Sequence, residues 1–224
     1  MQPETGLISI IEKYPCSASF KEADTGKYIL ANDRLALDIG IHNPKDLIGL
    51  TVHDLEFAQS KEGIQQAKRI AELDFFACEK KEIAQSKFVF CKSDSGDVLY
   101  DEVIKLPVLG HSGNILGVVT YQRNLTPNLP LNQVYDLYRH FYDAPEAITR
   151  MLNYLGIEQS FSTHPTEAPL RIFLAKAERY SNKQIGRLLG ISHRTVDYQF
   201  DALRNRVIDG DLRHVLTAIK RRDA

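Results

Sequence analysis

Ser181–Val207 reads SNKQIGRLLGISHRTVDYQFDALRNRV, and two short helical patterns meet in it at a tight turn. Ile185, Leu188 and Leu189 fall at helical spacing. Gly190 then supplies the left-handed conformation that ends a helix and turns the chain, and Ser192 follows as an N-cap. Val196, Phe200, Leu203 and Val207 are spaced by four, three and four residues, which predicts one apolar stripe along a second helix that reaches Val207. The other side of that helix is polar, with Arg194, Asp197, Tyr198, Asp201, Arg204 and Asn205. A half-apolar, half-polar second helix after a tight turn is how a helix-turn-helix presents a face to the DNA major groove. The same pattern also suits an ordinary antiparallel helix pair.

The wording of the segment resembles the DNA-binding domain of LuxR-type transcription regulators. Ser181, Asn182, Lys183, Ile185, Leu188, Ile191, Ser192, Arg194, Thr195 and Val196 stand in register with that family's core, and the resemblance covers about the last sixty residues. It departs at Pro169, where the family's first helix usually has Glu, and at Gly186, Asp197 and Gln199. The resemblance implies that Lys183, His193, Arg194, Thr195, Asp197, Tyr198, Asp201, Arg204 and Arg206 form the DNA-binding set. Within it, Lys183, Arg194, Arg204 and Arg206 are suited to phosphates whatever the base. Asp197, Tyr198 and Asp201 fall where the family's base readers lie, and a carboxylate can accept a hydrogen bond from the cytosine amino group. The two aspartates equally suit surface charge that balances Arg194 and Arg204 at helical spacing.

Charge is distributed to match. From Pro165 to the end there are 12 Lys and Arg against 7 Asp and Glu, a net of +5; the rest has 16 against 22, a net of −6. A basic module on an acidic body fits phosphate contacts, and it also fits a solvated helical face. The 224 residues, 43% hydrophobic and 25% charged, suffice for one large or two small globular units. No basic start precedes an apolar stretch and no long apolar run occurs, so a cytoplasmic protein without a membrane partner is expected. Cys16, Cys78 and Cys91 lack metal-ligand spacing and read as reduced thiols.

Residues from about 18 to 126 read as a sheet-and-helix domain. SASFKEA and KYILAN are strand candidates joined by a turn at Asp24, Thr25 and Gly26. Asn32 caps a short helix closed by Gly40, and Pro44 to Gly49 marks another. A longer helix is expected over about Ser60 to Cys78. Three strands follow, EIAQSKFVFC, VLYDEVIKLPVL and ILGVVTYQRN, separated by turn formers at Ser93–Asp97 and His111–Asn114. Pro107 within the second predicts an edge position or a bulge.

That order, together with K-Y-I-L-A-N, D-L-I-G-L-T, S-G-D, K-L-P-V and G-N-I-L-G-V, resembles a PAS domain. The resemblance implies a five-stranded antiparallel sheet whose concave face and helices enclose a cofactor, a small ligand, or nothing. The family's flavin-binding light sensors carry an N-C-R-F-L-Q run, which is missing here, and Glu62–Cys78 contains no haem-ligating histidine. Flavin and haem are therefore not expected, no metal is expected, and the cofactor is left unknown. Phe75, Phe76, Phe88, Phe90 and Tyr121 are the candidate lining of a small-molecule pocket, or they simply fill a core.

LTPNLP breaks the last strand, after which Leu131, Val134, Leu137, Tyr138 and Phe141 stripe one helix and Ile148, Met151, Leu152 and Leu155 a second. This pair either packs on the sheet or forms a dimer interface. EQSFSTHPTEAP reads as a flexible linker. Leu170, Phe173, Leu174 and Ala177 make the first helix of the last domain, and Leu212, Val215, Leu216 and Ile219 its last, through which the family often pairs protomers.

The expected fold class is α+β: a PAS-like sensor at 1–126, a helical connector and linker at 127–164, and an all-α, four-helix LuxR-type domain at 165–224. No phosphate-cradling loop, zinc pattern or nucleophile elbow is present, so no catalytic residue is named and an enzyme is not expected. The expected function is transcription regulation: a homodimer binding double-stranded DNA, with a small-molecule ligand as its input. A signalling adaptor whose terminal helices bind a protein partner is the alternative.

Overall fold

The computed structural model describes residues 5–59, 61–92, 95–208 and 210–219. Lys220 to Arg222, part of the basic count, lie outside them, as do Ser93 and Asp94 of the expected turn. The chain divides into two compact units, Met1–Leu125 and Thr126–Ala224.

The first unit has helix α1 (Thr5–Lys13), strands β1 (Ser17–Glu22) and β2 (Tyr28–Ala31), and helix α2 (Asp33–Asp38). Three short 3-10 turns lead to the long helix α3 (Lys61–Lys80), then β3 (Ala84–Cys91), β4 (Val98–Leu109) and β5 (Ile115–Asn124). The strands form one sheet in the order β2-β1-β5-β4-β3, with every neighbouring pair antiparallel. Asn32 caps α2 as expected: its side chain accepts from Leu35 N and Ala18 N and donates to the carbonyls of Tyr14 and Cys16. One buried amide thus fixes the start of a helix and the strand beside it. Pro107 pairs with Val118 of β5 and lies past Ala84–Lys105, the last β3–β4 pair, so it sits where β4 has become an edge.

The sheet has two different faces because side chains alternate along each strand. The outer face is apolar: Ala18, Phe20 and Val119 pack under Ile11 of α1. The inner face meets α2, α3 and the 3-10 turns through Tyr28, Phe88 and Val103, but it also buries Ser17, Ser19, Lys21, Asp101, Lys105 and Thr120. Helix α1 is missing from the expected order, since its nine residues are too few for a firm periodicity.

The second unit is helical, with α4 (Leu131–Phe141), α5 (Ala144–Tyr154), α6 (Glu167–Ala177), α7 (Asn182–Leu189), α8 (His193–Ala202) and α9 (Leu212–Ala218). The connector's apolar stripe is buried within this unit: Leu131, Val134, Tyr135 and Tyr138 of α4 lie with α5 and α6. Leu131 N donates to Glu178 Oε1 at 3.0 Å, and Arg171 of α6 pairs with Asp136 of α4 at 2.7 Å. The segment read as a flexible linker is pinned. Phe161 bridges Val207 and stacks edge-on against Phe173 at 5.9 Å, and Ser162 N donates to Arg206 O at 2.8 Å. The second helix of the motif also ends earlier than its periodicity suggests. It stops at Ala202, a 3-10 turn covers Leu203–Arg206, and Val207 leaves to pair with Phe161.

Candidate nucleic-acid interface and ligand cavity

The turn between α7 and α8 is built as its sequence requires. Ser181 and Gln184 form a reciprocal capping box at the start of α7, and Ser192 accepts from Thr195 N at 3.1 Å at the start of α8. Gly190 adopts φ +68° and ψ 29°, the left-handed conformation that a side chain resists. Ile191 N then donates to Gly186 O, and a Cβ on Gly186 would stand 2.7 Å from Ile191 O. The turn therefore folds directly onto a glycine. Ile185, Val196, Ile172 and Ala175 close the core behind it.

That core leaves one face of α8 in solvent. His193, Arg194, Asp197, Tyr198 and Asp201 are exposed, with Tyr198 76% accessible, and Lys183 is exposed on α7. Thr195 is half-buried and spent on the cap, its Oγ1 2.9 Å from Ser192 Oγ. Asn182 donates to the Asp197 carboxylate across the turn. Arg204 lies on the 3-10 turn, 3.5 Å from Asp201 with both side chains exposed, a pair too solvated to hold either one. Arg206 is otherwise engaged: its guanidinium donates to His164 O at 2.8 Å and its carbonyl accepts from Ser162. It ties the chain before α6 to the chain after α8. Leu188, at helical spacing with Ile185 and Leu189, is 60% exposed, whereas Leu189 is packed behind α8.

In the first unit a cavity of about 60 Å³ lies on the inner face of the sheet. Of the five aromatic residues expected to line it, only Phe90 does, packed against Phe57 and Phe88. Phe88 is core, Tyr121 lies on the outer face against Tyr14, and Phe75 and Phe76 are 67% and 44% exposed. Polar side chains take their place: Ser19, Lys21, Asp101, Lys105, Thr120 and Gln122 all line the cavity. Reading the sequence for aromatics missed them. The available signal was polar residues recurring at every second position, Ser17-Ser19-Lys21 in one strand and Thr120-Gln122 in another.

Asp74 of α3 stands between two of these lysines, 2.8 Å from Lys21 Nζ and 2.5 Å from Lys105 Nζ. Lys105 also donates to Thr120 Oγ1 at 2.9 Å. Burial disfavours both ammonium charges. At Lys21 the neighbouring Tyr28 and Asp74 outweigh it and hold the charge. At Lys105 burial wins over Asp74 and pulls the pKa down to about 8, with Lys21 adding to the fall. Asp101 accepts from Gln122 Nε2 at 2.6 Å, yet burial pushes its carboxyl up to about 6. Among the described residues no cluster of metal-ligating side chains occurs, Cys16, Cys78 and Cys91 form no disulfide, and no helix is long and apolar enough to cross a membrane.

No protein-family profile and no curated protein matches the chain. Several solved structures resemble it. The VqmA–ligand–DNA complex from Vibrio cholerae aligns over 98% of this chain and 91% of that chain, with 18% identity and a TM-score of 0.53. The VqmA dimer of Vibrio cholerae without target DNA, described as a LuxR-type receptor, aligns over 96% and 86% with 17% identity and a TM-score of 0.47. A phage VqmA–DPO complex aligns over 95% and 84% with 19% identity and a TM-score of 0.48. The fold is therefore α+β, a PAS-like sheet unit followed by a helical unit with a helix-turn-helix, as the sequence resemblance implies.

Proposed function

We propose that this chain is a DNA-binding transcription regulator, acting as a homodimer on duplex DNA and taking its input from a small molecule in the cavity of the sheet unit. The observation that carries this reading is the exposed polar face of α8, set on a capped, glycine-turned helix pair whose Ile185 and Val196 are buried in its own core. His193 and Arg194 stand at the N-terminal end of α8, next to the turn, and Lys183 at the N-terminal end of α7, where positive charge and helix N-terminal N–H groups meet phosphates. The VqmA complex of like fold contains both DNA and a ligand, which supports the same two roles here.

Fluorescence anisotropy with fragments selected from the source genome tests the proposal. Retention of duplex DNA that weakens steeply with salt is expected, since each phosphate contact releases counterions. Salt-insensitive binding to a protein, with no DNA retention, would instead favour the adaptor reading.

A further inference from the structure

The inner face of the sheet buries two ammonium groups where a packed core would be apolar. Lys21 of β1 and Lys105 of β4 are each 1% exposed and share the single carboxylate of Asp74 on α3. Lys21 Nζ stands 2.8 Å from Asp74 Oδ2, and Lys105 Nζ 2.5 Å from Oδ1. An ammonium has three N–H donors. Lys21 spends its donors on Asp74 and Tyr28, and Lys105 on Asp74 and Thr120, so each keeps one N–H without an acceptor among the described residues. Both lysines line the cavity, whereas Asp74 lies behind them on the helix.

Charge is out of balance at this end. Two cations meet one anion, and Lys105, with a pKa of about 8, is mostly protonated at neutral pH. The far end of the cavity offers no compensation, because Asp101 and Asp38 are matched there by Lys92 and Arg34. The described groups around the cavity therefore carry one positive charge in excess. A buried excess charge is costly unless an ion of opposite sign joins it.

Asp74 shows what kind of anion fits. Its two oxygens already span the two Nζ atoms from the α3 side, so the lysines stand at the separation that one carboxylate bridges. We propose that the cavity binds a one- or two-carbon carboxylate, whose oxygens take the remaining N–H of Lys21 and of Lys105 from the cavity side. A neutral ligand leaves the surplus charge in place, an amine adds to it, and a dianion reverses it. The volume sets the size: benzene, with six carbons, needs roughly 150 Å³ and a water roughly 15 Å³, so about 60 Å³ holds three or four non-hydrogen atoms, as in formate or acetate. Val52, Ile70 and Val103 in the same wall suit a methyl group. The inference rests on the reading of the sheet unit as a small-molecule sensor.

The test is calorimetry and thermal unfolding of the full chain titrated with formate, acetate, acetamide, chloride and benzoate as sodium salts where ionic. Formate or acetate is expected to bind saturably, one per chain, and to raise the unfolding midpoint. It should bind about tenfold or more tightly than acetamide, the neutral mimic of acetate, or than chloride, since charge-assisted hydrogen bonds are the stronger ones and only a carboxylate spans both lysines. Benzoate, too large for the cavity, should not bind. Lys105→Met leaves Lys21 and Asp74 as a balanced pair and is expected to lower carboxylate affinity by about tenfold or more. No saturable binding, acetamide, chloride or benzoate binding as tightly as acetate, or an affinity unchanged by Lys105→Met would each overturn the proposal. Should that variant not fold, the five probes on the parent chain decide alone. DNA anisotropy on the same samples separates the two readings. DNA retention without carboxylate binding sinks only this inference, whereas carboxylate binding without DNA retention sinks the regulator.

Discussion

Asn182, the first residue of α7, donates its side-chain amide to the carboxylate of Asp197 on α8, so this exposed acid is held by the helix that precedes it. A fixed carboxylate can accept from a cytosine amino group and repels nearby phosphates in other registers. Asp197→Ala is therefore expected to narrow the gap between preferred and random DNA by about 1–3 kcal/mol, with random-sequence affinity unchanged or higher. Competition anisotropy measures both. A uniform loss across sequences would place Asp197 among the structural residues.

Arg194, at the start of α8, and Lys183, at the start of α7, are exposed and have no ion-pair partner among the described residues. Alanine at either position is expected to weaken preferred and random DNA alike, and to flatten the slope of log affinity against log salt by about 0.9 for each phosphate no longer neutralised. Arg206→Ala should behave differently. Its guanidinium holds the His164 carbonyl, so the variant is expected to lose thermal stability more than salt slope.

Gly186 has no room for a methyl group, with Ile191 O 2.7 Å from where Cβ would stand. Gly186→Ala must push the turn away from α7, at a cost of about 1–3 kcal/mol for overpacking. The measurement is urea unfolding of the full chain, with DNA affinity falling in parallel. Gly190→Ala, whose site is open but left-handed, is expected to cost about 1 kcal/mol.

How far the sequence reaches is clearest at these residues. The turn, its caps and the exposed face of α8 are decided within a few residues of one another, and each is legible. Strands β3 to β5 are legible too, because turn formers bracket them. The end of α8 is not: the apolar spacing continues to Val207, while Val207 is claimed by Phe161, forty-six positions earlier. The polar cavity escapes for the same reason. Lys21, Asp74 and Lys105 become neighbours only when β1, α3 and β4 assemble, and aromatic composition says nothing about that.

Among those three, the carboxylate is the member that cannot be spared. Asp74→Asn leaves two buried ammonium groups facing each other and is expected to cost about 3–5 kcal/mol. Lys105→Met leaves a one-to-one pair, Lys21 with Asp74, and should cost clearly less. Denaturant midpoints of the two variants give the order directly, and the reverse order would contradict the assigned charges.

Asp101 makes stability depend on pH. Its folded pKa of about 6 is raised above the ordinary carboxylate value, so its contribution is fully present below pH 4 and is lost as pH rises through 6. Asp101→Asn, which cannot ionise, is thus expected to be more stable than the parent above pH 7 by about 1–3 kcal/mol. The advantage should shrink to nothing near pH 4. Unfolding midpoints of the two proteins across that range test the sign as well as the size.

The two-sided character of the sheet also bears on the opening segment of the chain. Because the greasy side of β1 and β5 faces outward, the nine residues of α1 serve as its wrapper, with Ile11 wholly covered. Stripping them would not loosen a terminus that merely drapes over a finished domain. It would bare Ala18, Phe20 and Val119 to water and turn the outside of the sheet unit into an adhesive surface, so a trimmed version would be expected to clump before it lost its sheet.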